Sequence, residues 1–431
     1  MTERRIISKE LPENTGIGQL LQLAGTGDFF ALLNSNSAEG NPIDPYHVYD
    51  YLIAIDIEEE IVAGEEYFKA LKDTIQKGDW IFTLLSYDLK NRIEKLHSEN
   101  FDGLKFPEAV LVRPQIVIAV KGRKAEFQVS RNVSDEKVEN IFRQLSKNQS
   151  DHFIPFSANI KSRLSEDEYI GSVREIIAHI QRGDIYEMNY CMEFYSENAT
   201  IDPIQTYLRL NKISPMPFSA YLHYRGNYLI CASPERFLAG RNSKMISQPI
   251  KGTARRGKSE SEDLLIVEKL RNDPKEKSEN VMIVDLVRND LSRTAKKRSV
   301  HVEELFGIKT YRQLHQMVST IVSEKDDVYD ISDVLQSAFP MGSMTGAPKV
   351  RAMEIIEEFE KSKRGWYSGS FGYITPDGDF DLNVIIRSIL YNSENHYLSY
   401  TAGSAITIGS DPAKEYEECL LKARSFFTLA Q

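Results

Sequence analysis

The chain has 431 residues, 41% of them apolar and 27% charged, which suits two or three domains around a large core. Lys plus Arg total 53 against 63 Asp plus Glu, so the net charge is −10 and there is no basic footprint for nucleic acid or an anionic membrane surface. No stretch approaches the roughly 18 uninterrupted apolar residues of a membrane span, and the charged start MTERRIISKE lacks the apolar segment of a signal peptide. Cys191, Cys231 and Cys419 are odd in number, far apart and without metal-ligand spacing. They suit a reducing compartment, and the expectation is a cytoplasmic protein.

Residues 1–150 mix β-rich runs such as AVLVRPQIVIAVKG and AEFQVS with short helical patterns. The polar stretch LSKNQSDHFIPFSAN, near 145–159, has no periodicity and marks the expected seam between an N-terminal region, 1–150, and a second region, 160–431. SEDEYIGSVREIIAHIQRGD then opens on a Ser-x-x-Glu capping signal. It keeps helical spacing through Ile170, Val173, Ile176, Ile177 and Ile180 until Gly183 stops it. YEMNYCMEFYS reads as a strand, as do FSAYLHYRGNYLICAS, SFGYITPDGDFDLNVIIRSILYN and HYLSYTAGSAITIGS. Strand runs that follow one another across short turns favour antiparallel pairing, so the expected class is mixed α/β (α+β), large sheets with helices outside.

Two acidic segments share one layout. Asp273-Pro274 leads to Glu276 and Glu279, and Asp411-Pro412 leads to Glu415 and Glu418. Asp is a plausible N-cap with Pro at the first helical position, and carboxylates at i, i+3 lie on one helix face. Acids also suit any helix start, so each segment alone is adequately read as a cap. If the two segments converge, their oxygen-only donors call for a hard cation, Mg²⁺. Gly342–Lys349 is a loop feeding a helix, able to offer backbone N–H groups to an anion or simply to cap. Lys251, between Ile250 and Gly252, could lose its proton beside an apolar wall and act as a nucleophile, although most lysines are solvated surface groups. Arg387 ends the apolar run Asn383–Ile386 and needs a partner, either a ligand carboxylate or a structural Asp or Glu.

These residues fall in a series of motifs that resembles the chorismate-utilising enzymes. They are SPERF (233–237), PIKGTARRG (249–257), ENVMIVDLVRNDL (279–291), GSMTGAPKVRAMEII (342–356), GWYSGSFGYI (365–374) and EYEECLLKA (415–423), with SYDL (86–89) as a weaker match in the N-terminal region. The resemblance implies two large antiparallel β-sheets sandwiched between helical layers, with the N- and C-terminal parts interleaved. It implies that Glu279 and Glu418 bind Mg²⁺ with Glu276 and Glu415 in support. Chorismate is a dicarboxylate: Arg387 and Tyr367 match the positions that hold its enolpyruvyl carboxylate, Lys422 and Gly403 the ring-carboxylate side, and Thr253 and Ser343 line the substrate.

Within the family, the lysine in Pro-Ile-Lys-Gly-Thr resembles the aminodeoxychorismate synthase branch, where anthranilate synthases carry Ala. SPMPFSA (214–220) points the same way. The resemblance implies that Lys251 attacks C2 of chorismate and displaces the C4 hydroxyl, which Glu235 protonates. Ammonia then adds at C4 and expels the lysine, giving 4-amino-4-deoxychorismate for p-aminobenzoate and folate synthesis. It also implies a separate glutamine amidotransferase subunit as ammonia source. The nearest rival is an anthranilate synthase component I, against which Lys251 and Gln316 argue; Gln316 stands where that branch has histidine, and neighbouring His315 reads as packed rather than catalytic. A non-catalytic chorismate-binding protein is the rival of another class. Ala405 replaces the glycine common in the family.

Overall fold

The computed structural model describes residues 4–13, 15–25, 27–37, 41, 44–62, 66–146 and 156–430. The N-terminal elements are β1 (Arg5–Glu10), α1 (Ile17–Leu21), β2 (Phe29–Asn34), β3 (Tyr51–Val62), α2 (Tyr67–Ile75), β4 (Ile81–Leu85), α3 (Lys90–Ile93), β5 (Ala109–Lys121), β6 (Lys124–Val129) and α4 (Asp135–Leu145). Next come β7 (Lys161–Ser162), α5 (Glu166–Arg182), β8 (Glu187–Ser196), α6 (Pro203–Ile213), β9 (Phe218–Tyr224), β10 (Asn227–Ser233), β11 (Arg236–Arg241), β12 (Lys244–Gln248) and β13 (Ile250–Arg255). The remainder is α7 (Glu260–Asn272), α8 (Pro274–Ser292), β14 (His301–Thr310), β15 (Leu314–Glu324), α9 (Ile331–Ala338), β16 (Gly346–Ala347), α10 (Lys349–Phe359), β17 (Ser370–Ile374), β18 (Phe380–Asn383), β19 (Ser388–Asn392), β20 (Tyr397–Thr407) and α11 (Pro412–Ala430).

Every pairing between these strands is antiparallel, in two limbs of one hydrogen-bonded network. One limb runs β8-β20-β19-β10-β9-β2-β3-β5-β6-β1, and the other β5-β4-β17-β18-β11-β12-β15-β14. β5 belongs to both: its start pairs with β4 and its end with β6, while β3 runs along its other side. The chain turns between the limbs where β3 shifts register between Ile57 and Glu59, opposite Pro114, with Asp56 at φ +57°. A bulge facing a residue that cannot donate a ladder hydrogen bond bends a strand pair. Strands from both sequence regions share the network, since β2 pairs with β9 and β4 with β17. Most of the seam expected near 145–159 lies outside the described residues.

Alternation sets the layers. On β2, Phe30 and Leu32 join the cluster that packs against α4, α5 and α11, whereas Phe29 and Ala31 face the second limb, where Phe29 meets Phe82 edge to face. On β8, Met188, Tyr190, Met192 and Phe194 enter the first cluster and Cys191 the second. Helices α8 and α9 cover the other limb through Ile283, Val284, Val287, Val334 and Leu335. The capping box expected at Ser165 and Glu168 is formed, and Gly183 ends α5 in the left-handed conformation. Arg387 departs from expectation: it lies not in a strand but in the connector between β18 and β19, at φ +53°. That conformation is uncommon for a side-chain-bearing residue and marks a site held by its surroundings. Among the described residues, no helix is long and apolar enough to cross a membrane.

Candidate active site

A cleft of ≈ 730 Å³ opens where β13, β20, α8 and α11 meet, and all twelve residues singled out above line it. Lys251 and Thr253 come from β13, Gly403 from β20, Glu276 and Glu279 from α8, and Glu415, Glu418 and Lys422 from α11. Glu235, Ser343, Tyr367 and Arg387 stand on turns and connectors between elements.

Local backbone explains the placement of Lys251. The β13–β15 register shifts between Ile250 and Thr253, a bulge that re-aims the side chains within it. Gly252 in that bulge has φ +94°, and a Cβ there would stand 3.0 Å from Glu276 Oε2 and 3.3 Å from Met317 Cβ. Only glycine lets the strand approach α8 so closely. Beside it, β13 is tied through the loop to α7: Asp263 accepts from Arg256, from the Gly257 N–H and from His315, whose other ring nitrogen meets Thr310. His315 is thus packed, while Gln316 reaches the cleft.

The charges interlock. Glu235 is 4% exposed and accepts a hydrogen bond from the Ser343 hydroxyl at 2.6 Å. Burial pushes its carboxyl up to about 7, against the opposing pull of Ser343 and Lys251. Its neighbour Arg236 is fully buried and ion-paired to Asp44 and Asp381, which fixes the turn that carries Glu235. Lys251 corrects the expectation of a lysine that sheds its proton. Burial does favour the neutral amine, but Glu187, Glu279, Glu235 and Glu418 outweigh it, so its pKa is raised and the group is an ammonium. Glu187 was invisible to motif reasoning. Its only signal was an acidic residue at the head of the strand run MNYCMEFY, one position before Met188.

The two acidic helices do converge. Asp273 caps α8 by accepting from the N–H groups of Lys275 and Glu276, and Asp411 accepts from those of Ala413 and Lys414. The glutamates therefore need not serve as caps, and they face the cleft. Lys275 bridges them, its Nζ 3.7 Å from Glu279 Oε1 and 3.6 Å from Glu415 Oε1. Burial pushes Glu279 up to about 7, and its buried Oε1 has no hydrogen-bond partner among the described residues. Burial also raises Glu276. Burial acts likewise on Glu418, but Lys422, at 2.6 Å, prevails and lowers it. Lys422 also donates to the Gly403 carbonyl at 2.8 Å, so these two form one unit. A Cβ on Gly403 would strike Cys191 Sγ at 2.4 Å. Among the described residues, no three His, Cys, Asp or Glu side chains form a ready-made metal cage. The donor set still fits Mg²⁺, which takes one or two carboxylates and completes its shell with water and substrate oxygens; the unpartnered Glu279 oxygen is such a donor.

Arg387, half-buried in the cleft wall, has no carboxylate partner among the described residues. The structural alternative for this cation is therefore missing, and its guanidinium is free for a bidentate ligand carboxylate. Tyr367 lines the same cleft, its hydroxyl 3.8 Å from Cys191 Sγ.

The pKa of Glu235 sets a test. If it acts as an acid, the rate falls on the alkaline side near pH 7, as the carboxyl ionises. Ser343 stabilises the carboxylate, so Ser343→Ala raises the Glu235 pKa and moves that limb to higher pH, by about one unit. A pH–rate profile of the variant that keeps the wild-type limb removes Glu235 from the role.

Antiparallel sheet limbs wrapped by helices frame a large cleft in which cations stand opposite carboxylates, the layout of a small-molecule site. The model of the chorismate binding enzyme family matches residues 31–428, and the chain belongs to that family. It is 43% identical over 265 residues to a probable chloroplastic aminodeoxychorismate synthase of Oryza sativa subsp. japonica, covering 61% of this chain and 29% of that protein. The chain thus spans less than a third of that relative's length. It is 33% identical to aminodeoxychorismate synthase component 1 of Bacillus subtilis, covering 79% of this chain and 74% of the relative. Anthranilate synthase component 1 of Thermus thermophilus is likewise 33% identical, covering 79% and 75%. The fold matches the crystal structure of anthranilate synthase component I from Streptococcus pneumoniae with a TM-score of 0.75 at 22% identity, covering 98% of this chain and 99% of that one.

Proposed function

We propose that this chain aminates chorismate with ammonia to 4-amino-4-deoxychorismate, as an aminodeoxychorismate synthase component I, in the cytoplasm and on the path to p-aminobenzoate and folate. Identity does not separate this branch from anthranilate synthase, since both component 1 relatives stand at 33%. The observation that carries the reading is that Lys251, half-buried, lines the cleft together with Glu235, whose carboxyl burial pushes up to about 7. An alanine in that place could neither form nor release a bond to the ring.

Arg387, with no carboxylate partner among the described residues, and the Lys422–Gly403 unit would take the two carboxylates of chorismate. Glu279 and Glu418, supported by Glu276 and Glu415, would hold Mg²⁺, whose charge would neutralise a substrate carboxylate in an otherwise acidic wall. The Lys251 ammonium first gives a proton to solvent. Its amine then bonds to C2 while the C4–O bond breaks, and the Glu235 carboxyl protonates the leaving hydroxyl as water. Ammonia bonds to C4 and the C2–N bond breaks, returning Lys251, and the proton that the new C4 ammonium sheds restores Glu235. The balance is chorismate plus ammonia to aminodeoxychorismate plus water. Product identification by mass after incubation with chorismate, Mg²⁺ and an ammonium salt tests the reading; anthranilate and pyruvate as products would replace it with the rival.

The nitrogen source follows from the thiols. Cys191, Cys231 and Cys419 are all buried, and burial raises each of them, to about 11 for Cys231 and Cys419. A glutaminase nucleophile needs an exposed thiol of depressed pKa. The 431-residue chain by itself is expected to use ammonia and to ignore glutamine, which becomes a substrate once a glutamine amidotransferase subunit is added. Glutamine-driven turnover by the purified chain alone would contradict this.

A further inference from the structure

The connector between α10 and β17 carries Arg364, which is 4% exposed and touches none of the groups assigned a chemical role above. All five of its N–H donors are used. Nε and Nη2 donate to the two oxygens of buried Glu360 at 2.9 and 2.6 Å. Nη1 donates to the Met344 carbonyl at 2.6 Å and to the Ser368 hydroxyl at 3.3 Å, and Nη2 donates to the Asn189 carbonyl at 2.9 Å. Glu360 accepts in turn from the Cys191 N–H at 2.9 Å. Three stretches far apart in sequence thus meet on one guanidinium: β8 at Asn189, the 342–344 turn, and the turn before β17. Each carries cleft-lining residues, namely Asn189, then Ser343 with Met344, then Tyr367.

We propose that Arg364, held by Glu360, is a positioning residue for the Ser343–Glu235 pair. It pins the Met344 carbonyl to β8 and so fixes the neighbouring Ser343 hydroxyl, which donates to Glu235 at 2.6 Å. The inference rests on the amination reading for the role of Glu235 as acid. A buried ion pair alone argues little for stability, since apolar residues of like volume often serve as well. Apolar residues supply no directed donors, however, and a planar fork reaches two carbonyls on two walls at once. The Asn189 N–H also donates to the Thr345 carbonyl at 2.7 Å, so strand and turn are tied on both sides of this residue. Without the guanidinium, the buried Met344 and Asn189 carbonyls lose their donor, and the turn must shift to find another.

The test replaces the whole pair in the full chain, Arg364→Met together with Glu360→Gln. Both charges leave at once, so no buried charge is stranded, and the amide still accepts from the Cys191 N–H. With chorismate and ammonium chloride as substrates, kcat should fall roughly tenfold to a hundredfold. The alkaline limb of the pH–rate profile should move up, as for Ser343→Ala, because a displaced hydroxyl no longer stabilises the Glu235 carboxylate. In a Ser343→Ala background the same two substitutions should move the limb no further and lower kcat by at most about threefold. A limb that stays at its wild-type position, or a loss of kcat as large in that background as in wild type, overturns the proposal and leaves Arg364 a structural brace. If the paired variant does not fold, Arg364→Lys is run under the same criteria; it keeps a charge for Glu360 but lacks the fork. A wild-type chain that does not aminate chorismate fails the functional reading instead, so the two failures are distinct.

Discussion

Lys251→Ala is expected to lower amination by about three orders of magnitude or more while the protein remains folded and still binds chorismate. Removing a covalent nucleophile leaves only direct attack by ammonia, oriented by the remaining cleft, as residual activity. Lys251 is half-buried, and losing a cation there leaves the facing carboxylates uncompensated, at a cost below the about 3–5 kcal/mol of a broken buried pair. Here that cost has an outlet. Glu235 and Glu279 already stand near 7, so each takes up a proton at neutral pH once the ammonium is gone. Thermal unfolding of the variant should therefore stay close to wild type at pH 6 and fall behind as pH rises, when both carboxyls are forced to ionise. Turnover and melting temperature measured across pH check both halves. An undiminished rate would sink the covalent mechanism, and a pH-independent loss of stability would show that the carboxylates do not couple to Lys251.

The elements were legible wherever a local signal decided them. Ser165 with Glu168, Gly183 after α5, and Asp-Pro before α8 and α11 are chemical instructions carried by neighbouring residues, and the chain follows each. Convergence of the two acidic helices was not legible in that sense. α8 ends at Ser292 and α11 starts only at Pro412, and only the resemblance to a family joined them before the fold did. Arg387 was misread because apolar Val384–Ile386 look like strand, whereas their burial comes from packing in a connector whose backbone turns at φ +53°.

Two electrostatic features also escaped sequence reasoning, for one reason. Apolar flanks at Lys251 suggested a lowered pKa, but charge state in a cleft depends on what faces the group across space, and four carboxylates do. Glu187 contributes the largest of those fields from a strand whose pattern otherwise reports only burial. Conversely, the weakness of each acidic segment as a metal signal was real. Acids at helix starts are common, and what removes the capping explanation is that Asp273 and Asp411 already do the capping.

Glu279→Gln and Glu418→Gln are each expected to abolish Mg²⁺-dependent turnover, but with opposite effects on the fold. Glu279 keeps a buried oxygen without a hydrogen-bond partner among the described residues, and burial opposes its charge. An amide there removes a destabilising charge, so the variant should melt at or slightly above the wild-type temperature in the absence of Mg²⁺. Glu418 is held to Lys422 at 2.6 Å, and Lys422 in turn to the Gly403 carbonyl. Neutralising it leaves a half-buried lysine short of its partner and should lower the melting temperature, by the few degrees that about 1 kcal/mol commands in a protein of this size. Addition of Mg²⁺ should raise the wild-type melting temperature, because a ligand that binds only the folded state stabilises by mass action. Both variants should lose that response, since a hard cation that relies on one or two carboxylates loses most of its affinity with either. Melting curves with and without Mg²⁺, set beside the Mg²⁺ dependence of turnover, separate the two effects. If both variants keep the wild-type Mg²⁺ dependence, the acidic residues on α8 and α11 serve the helices and not the metal.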